Sequence, residues 1–188
     1  MRFSIPVILF SAMLLSGCWW SGPIFYPPGA TATQPIVAGL YEARSADAAD
    51  KPERVQIARL PNGAWGEKTD QGSWTFFIRL PGTPRDLWIM ETIATDSSDA
   101  GYGLMERSGD RLTMDPMILC HGTQMIVRAA GGVVENDDPP GTDGSAGRPL
   151  SNRIVCRFDD RAALERGLLA YAAAHPKLDG GKLTRIGD

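Results

Sequence analysis

Apolar residues recur at every second position in several short runs of this chain. The clearest run carries them at four alternate positions: Trp74, Phe76, Ile78 and Leu80. Because successive side chains of a strand point to opposite faces, this period predicts a strand with one buried face. Val55 and Ile57 alternate in the same way, whereas residues 87–90 are apolar throughout, which predicts a strand covered on both faces. The dominant element of the fold is therefore expected to be a β-sheet.

Turn residues separate these runs and favour antiparallel pairing. Ser108-Gly109-Asp110 lies between two apolar alternations and is typical of a hairpin turn. Residues 124–130 fit either a short helix or a further strand. Near the C-terminus, residues 182–186 predict a closing edge strand.

One helix is predicted near residues 159–175. Asp159-Asp160 suits its first turn, and Pro176 ends it. Its apolar stripe has helical spacing and consists of Ala163, Leu164, Leu168, Leu169 and Ala172. Many strands followed by a helix predict an α+β fold. We expect a mostly antiparallel sheet, either a curled meander or a small barrel-like sheet, with the C-terminal helix packed on it.

The N-terminus has the order of parts of a secretory signal. A charge at Arg2 precedes an apolar core at 3–15, which is shorter than the roughly 20 residues of a membrane-spanning helix. The segment Leu15-Ser16-Gly17-Cys18 that follows resembles the lipobox of bacterial lipoproteins. The resemblance implies removal of residues 1–17, a diacylglyceryl thioether on Cys18 and an acylated amine, and such multiple acyl chains anchor a protein stably. The alternative is ordinary cleavage that leaves Cys18 as a free thiol.

The resemblance also predicts a location and a layout. Trp19 is not the aspartate associated with inner-membrane retention, which favours the outer membrane, facing the periplasm. Trp19-Trp20 would then lie at the lipid headgroups or in an unstructured tail. Residues 18–36 are predicted to be the lipidated N-terminus and a proline-rich tether, although residues 24–26 are apolar enough to dock on the domain. Residues 37–188 are predicted to form one domain.

A loop near 136–150 interrupts this domain. It is rich in Asp, Gly, Pro and Ser, so we expect it to be mobile. Loss of residues 1–17 removes Arg2 alone among the charged side chains and changes the formal net charge from −3 to about −4. A mildly acidic chain without a basic stripe is a poor partner for nucleic acid.

Cys120 and Cys156 remain after Cys18. Both lie in apolar alternations, and an even pair in an oxidising compartment predicts a disulfide. The alternative is two separate buried thiols. Neither belongs to a Cys-x-x-Cys pair, which disfavours an oxidoreductase.

Candidate catalytic and metal-binding residues are few. Cys120-His121 are adjacent, so on a strand they would point to opposite faces and could not share a ligand, and no further ligands accompany them. His175 lies at the end of the predicted helix, where a cation offsets the dipole. Ser145 lacks the glycine required two residues before a nucleophilic serine. We therefore predict no metal and no cofactor.

Acidic residues leave one enzymatic alternative open. The groups at 96–99 and 135–138 do not have the spacing of a calcium loop. Glu91 and Glu106 could converge as a carboxylate pair for sugar hydrolysis, which would make the protein an envelope hydrolase.

Aromatic residues are plentiful for the size of the domain: Trp65, Trp74, Phe76, Phe77, Trp88 and Tyr102. They predict either a packed core or the lining of a barrel-like cavity that binds a small ligand or lipid. With no catalytic constellation in the sequence, the leading prediction is a non-enzymatic accessory or binding module, held on the membrane through Cys18 and contacting an envelope protein or a small apolar ligand.

Overall fold

The computed structural model describes residues 19–26, 36–45, 51–59, 65–67, 73–94, 97–136 and 154–187. The predictions for the signal peptide 1–17, for lipidation of Cys18 and for Ser145 lie outside the described residues. So do those for residues 27–35 of the tether and for nearly all of the loop near 136–150.

The described residues form a mostly antiparallel sheet with two helices, which confirms the predicted α+β class. In chain order the elements are β1 (Trp20–Pro23), β2 (Gly39–Arg44), β3 (Glu53–Arg59), β4 (Trp65–Glu67), β5 (Ser73–Arg79), β6 (Leu87–Ala94), β7 (Asp99–Ser108), β8 (Arg111–Asp115), α1 (Gln124–Ala130), β9 (Val133–Asn136), β10 (Ile154–Arg157), α2 (Arg161–Ala174) and β11 (Gly181–Gly187).

Eight of the strands pair in a closed ring. Antiparallel ladders join β2 through β8 in chain order, and β11 pairs with both β8 and β2. We call this closed sheet the ring. The prediction that residues 182–186 form an edge strand is therefore wrong. Leu183 of β11 is buried in the ring interior, so β11 contributes to that core and pairs with a strand on each side, β8 and β2.

Three strands extend the sheet outside the ring. β7 pairs with β8 through its C-terminal half and with β1 through Asp99–Gly101 at its other end. β1 also pairs in parallel with β10, which pairs with β9. The N-terminal strand thus lies between the ring and the β9–β10 pair.

Two hydrophobic cores lie on opposite faces of β5, β6 and β7. The ring core fills the ring interior with Ile36, Tyr41, Ile57, Trp65, Phe77, Trp88, Met90, Met105, Leu112 and Leu183. The outer core lies between the other face of these strands and the two helices. Along β6, Trp88 faces the ring core while Leu87 and Ile89 face the outer core, so this strand is covered on both faces, as its continuous apolar sequence predicted.

The helices begin and end for local reasons. The carboxylate of Asp160 accepts from the backbone N–H of Ala163 at 2.8 Å and caps the N-terminus of α2. The helix begins where the sequence predicted, but Asp160 precedes its first turn and does not lie within it. Residues 124–130 form a helix, α1, and not a strand. α1 ends at Gly131, whose φ of +91° is readily adopted by glycine. Among the described residues, no helix is both long and apolar enough to cross a lipid bilayer.

The ring core predicts a large cost for a cavity at Met105, which is completely buried. Met105→Ala is expected to lower the free energy of unfolding by about 2–5 kcal/mol. The matched control is Met125→Ala, because Met125 is 79% exposed and should change stability by less than about 0.5 kcal/mol. Urea unfolding of the purified proteins measures both, and equal effects would contradict the assignment of Met105 to a packed interior.

Candidate functional site

The N-terminal segment, residues 19–26, belongs to the folded domain. Its strand β1 pairs with β7 and β10, and Trp20 N–H donates to Ile118 O at 2.9 Å. Phe158 N–H donates to Ser21 O at 2.9 Å. A Cβ at Gly22 would clash with Phe158 O, so this close approach requires glycine. The prediction that the tether includes these residues is wrong; only the suggestion that residues 24–26 dock on the domain agrees with the structure.

Trp19 and Trp20 are both buried, at 7% and 0% exposure. The Trp20 indole donates to Thr123 Oγ1 at 2.8 Å and packs with its ring 5.1 Å from Phe158 and 5.8 Å from Tyr171. Neither indole is therefore available to lie among lipid headgroups. Burial of the apolar ring, with a partner for its N–H, favours the domain interior over that interface.

Glu91 holds the end of the N-terminal segment from inside the outer core. The side chain is completely buried. Its Oε1 accepts from the backbone N–H groups of Phe25 at 2.8 Å and Tyr26 at 3.2 Å. The Tyr102 hydroxyl lies 3.0 Å from the same oxygen and is also close to Pro23 O, so its single proton is shared between these two acceptors. Among the described residues, no hydrogen-bond donor reaches Oε2.

Burial favours the protonated form of the Glu91 carboxyl. Desolvation raises the pKa of Glu91 above its ordinary value, because the charged form loses its contact with water. The hydrogen bonds from Phe25, Tyr102 and Tyr26 lower the pKa and offset only part of this effect. The same surroundings raise the pKa of Tyr102, first through burial and then through the neighbouring Glu91.

Tyr26 provides a second attachment of the segment, to helix α2. Its hydroxyl donates to Glu165 Oε1 at 2.9 Å, and the guanidinium of Arg161 lies 4.6 Å from the centre of its ring. Burial raises the pKa of the Tyr26 hydroxyl, and Glu165 raises it further. Phe25 stacks on Tyr102 with ring centres 5.8 Å apart. The segment is thus bound to both the sheet and a helix.

Cys120 and Cys156 form a disulfide. The bond lies beside the N-terminal segment, because Cys156 is the register partner of Trp20 and Cys120 follows Leu119, the bridge partner of Trp19. It therefore ties together the two stretches of chain that flank Trp19 and Trp20.

The two histidines considered in the sequence lie in different parts of the fold. His121 is exposed, beside the disulfide-bonded Cys120. His175 caps the C-terminus of α2 and stacks on Tyr171 at 4.0 Å. In the described part of the chain, no group of three or more His, Cys, Asp or Glu side chains is close enough to hold a metal ion. The acidic groups at 96–99 and 135–138 lie partly outside the described residues.

Glu91 and Glu106 do not converge. Glu106 is the register partner of Leu87 and Glu91 that of Tyr102. The two residues are therefore offset by four positions, which places their Cα atoms about 13 Å apart along the strands at about 3.3 Å per residue. Glycosidase carboxylates lie about 5–9.5 Å apart. Glu106 instead binds Arg85 through both oxygens, at 2.9 and 2.7 Å, and this pairing lowers the pKa of its carboxyl. Arg85 also donates to the carbonyls of Ala172 and His175 at the end of α2.

The aromatic residues are divided between the two cores. Trp65, Phe77 and Trp88 pack in the ring core, and Phe76 and Tyr102 in the outer core. The side chain of Trp74 lies outside the described residues. Two surface cavities of about 260 and 90 Å³ lie at the β7–β8 turn, beside Asp110. None of these aromatic residues lines either cavity.

Comparison of the chain with protein-family models, curated proteins and solved structures gave no significant match. The candidate site therefore rests on geometry alone, and it is the attachment of the N-terminal segment around Glu91. Sequence reasoning considered Glu91 only as a catalytic acid. The signal available in the sequence was an acid directly after the apolar residues 87–90, because a buried acid in a strand needs hydrogen-bond donors from elsewhere in the chain.

The raised pKa of Glu91 predicts a dependence of stability on pH. Between the ordinary pKa of 4.5 and the higher value in the folded protein, the folded state holds a proton that the unfolded state releases. The free energy of unfolding therefore falls as pH rises through this range, by about 1.4 kcal/mol for each unit by which folding raises the pKa. Glu91→Gln, which resembles the protonated side chain, should remove this decline.

Urea unfolding of wild-type protein and Glu91→Gln from pH 4 to 7 measures the difference between the two. We expect the wild type to lose stability relative to the variant as pH rises. Glu106→Gln serves as a control, because its carboxyl has a lowered pKa and should not reproduce the effect. Parallel pH profiles for wild type and Glu91→Gln would contradict the assignment.

The disulfide predicts a response to reduction. Its cysteines are separated by 36 positions, and a loop of this size stabilises the fold by about 4 kcal/mol in the chain-entropy model. In a Cys18→Ser background, a reductant should lower the urea midpoint. The double variant Cys120→Ala/Cys156→Ala should begin at a lower midpoint and not respond, and a wild-type midpoint insensitive to full reduction would contradict a stabilising bond.

Proposed function

We propose that this protein is a lipid-anchored lipoprotein of the bacterial outer membrane whose folded domain is a non-enzymatic accessory or binding module facing the periplasm. The observation that carries the proposal is Leu15-Ser16-Gly17-Cys18 at the end of the apolar stretch 3–15. Its small residues precede the cysteine as they do in a lipobox, and the stretch is too short to span a bilayer as a helix.

The domain is suited to an anchor at this position. Trp19 is buried and paired with Leu119, so the folded region begins directly after Cys18. The disulfide agrees with an oxidising compartment such as the periplasm. Trp19, which is not an aspartate, favours the outer membrane under the sorting rule that the lipobox resemblance implies.

The surroundings of the acids favour a binding module over an enzyme. Glu91 is enclosed by the N-terminal segment, and Glu106 is paired with Arg85. Each carboxylate thus has a structural partner. Turnover of an envelope substrate by the purified protein, abolished by substitution of one carboxylate, would contradict this part of the proposal.

Metabolic labelling with palmitate in a bacterium with an outer membrane tests the anchor. The wild-type chain should incorporate label and sediment with outer-membrane fractions, whereas Cys18→Ser should lose the label and leave the membrane. The control Cys120→Ala/Cys156→Ala should retain the label, because only Cys18 is the acceptor. Label on the Cys18→Ser protein, or wild-type protein confined to the soluble fraction, would overturn the proposal.

A further inference from the structure

We propose that the surface formed by Leu119, Met125 and Arg128 rests on the phospholipid bilayer and holds the domain in one orientation against the membrane. We call this surface the anchor-side patch. The inference rests on the proposed lipid at Cys18 and extends it, because it identifies the face of the domain that the lipid brings to the membrane.

The position of the anchor follows from the backbone. Trp19 forms a β-bridge with Leu119, and Trp20 donates to Ile118 O at 2.9 Å. Consecutive Cα atoms lie about 3.8 Å apart, so Cys18 is attached directly beside this bridge. The proposed lipidated residue is the covalent neighbour of a residue paired in the domain, and the surface around Leu119 is thereby brought to the headgroups.

This surface exposes apolar side chains. Leu119 is 59% exposed and Met125 is 79% exposed. Thr123, which directly precedes α1, connects this helix to Leu119 and to the N-terminal segment. Its hydroxyl donates to Leu119 O at 2.7 Å and accepts from the Trp20 indole. On α1, Met125 and Arg128 lie on the exposed side of the helix, while Val127 is buried.

The charge of the surrounding chain suits a lipid surface. Residues 116–132 contain no Asp or Glu, although the chain has 22 acidic residues. Arg128 is exposed in this stretch and can pair with lipid phosphates. An acyl anchor beside two exposed apolar side chains and a cation matches the composition of an interfacial contact, and this argues for lipid over a protein partner.

A probe at Met125 tests the contact. Cys120 and Cys156 are disulfide-bonded, and Cys18 carries the lipid, so Met125→Cys supplies one free thiol for an environment-sensitive fluorophore. The full-length processed protein is reconstituted into phosphatidylethanolamine–phosphatidylglycerol vesicles. We expect a blue shift of the emission and quenching by lipids that carry a spin label near the headgroup.

The matched control is Gln56→Cys. Gln56 is exposed on β3, which lies four strands from β7 in either direction around the ring. Its probe should keep the emission of a water-exposed dye and escape quenching. Circular dichroism before reconstitution checks that both labelled proteins are folded.

Mass spectrometry of the same samples separates the two possible failures. Absence of the lipid on Cys18 would overturn the proposed function and, with it, this inference. Lipidated protein whose Met125 probe remains in water, like the Gln56 probe, would overturn only the orientation. Quenching at both positions would also contradict a contact confined to the anchor-side patch.

Discussion

The burial of Glu91 couples the N-terminal segment to the rest of the domain. A carboxyl placed inside an apolar core is strongly unfavourable unless hydrogen bonds compensate for lost hydration. Two of its donors are the backbone N–H groups of Phe25 and Tyr26, which β6 itself cannot supply. Without the segment, Glu91 would lose these donors and the outer core would lose Trp20 and Tyr26. The segment is therefore a structural part of the domain.

β6 connects the N-terminal segment to the ring, because it contributes side chains to both cores. Its residues alternate between the two cores, with Ile89 and Glu91 facing the N-terminal segment and helices, and Trp88 and Met90 facing the ring interior. A shift of this strand by one residue would exchange the two faces and place Glu91 in the ring. The ring itself closes only through β11, which follows α2 in the chain. The fold consequently depends on the contacts of the N-terminal segment with β6 and on the pairing of β11 with β2 and β8.

The sequence predicted the elements whose signals are local. The alternation at 74–80, the Ser108-Gly109-Asp110 turn and the helix start near Asp159-Asp160 are signals within a few residues. The alternation predicted the strand but only one buried face, whereas Phe77 buries the other face of β5 in the ring core. The interior position of β11 and the pairing of β1 depend on partners far along the chain, such as Gly101 for Ser21. Pro23 favoured a tether, yet it ends a strand and its carbonyl accepts from Tyr102. The acid at position 91 was visible in its apolar stretch, but its donors were not.

A rigid attachment at Trp19 changes what a lipid on Cys18 could do. A long proline-rich tether would let the domain rotate and would leave every surface accessible to partners. With Trp19 and Ser21–Pro23 paired to the rest of the domain, an acyl anchor would bring the surface around Leu119 to the bilayer, and the β3 side of the ring would point away from it. The hydrogen bonds of β1 with its neighbouring strands would then determine which surface of the domain stays accessible to an envelope partner. The hydrogen bonds that Glu91 accepts from Phe25 and Tyr26 hold the end of the same segment. They would therefore help to determine the orientation of the domain as well as its stability.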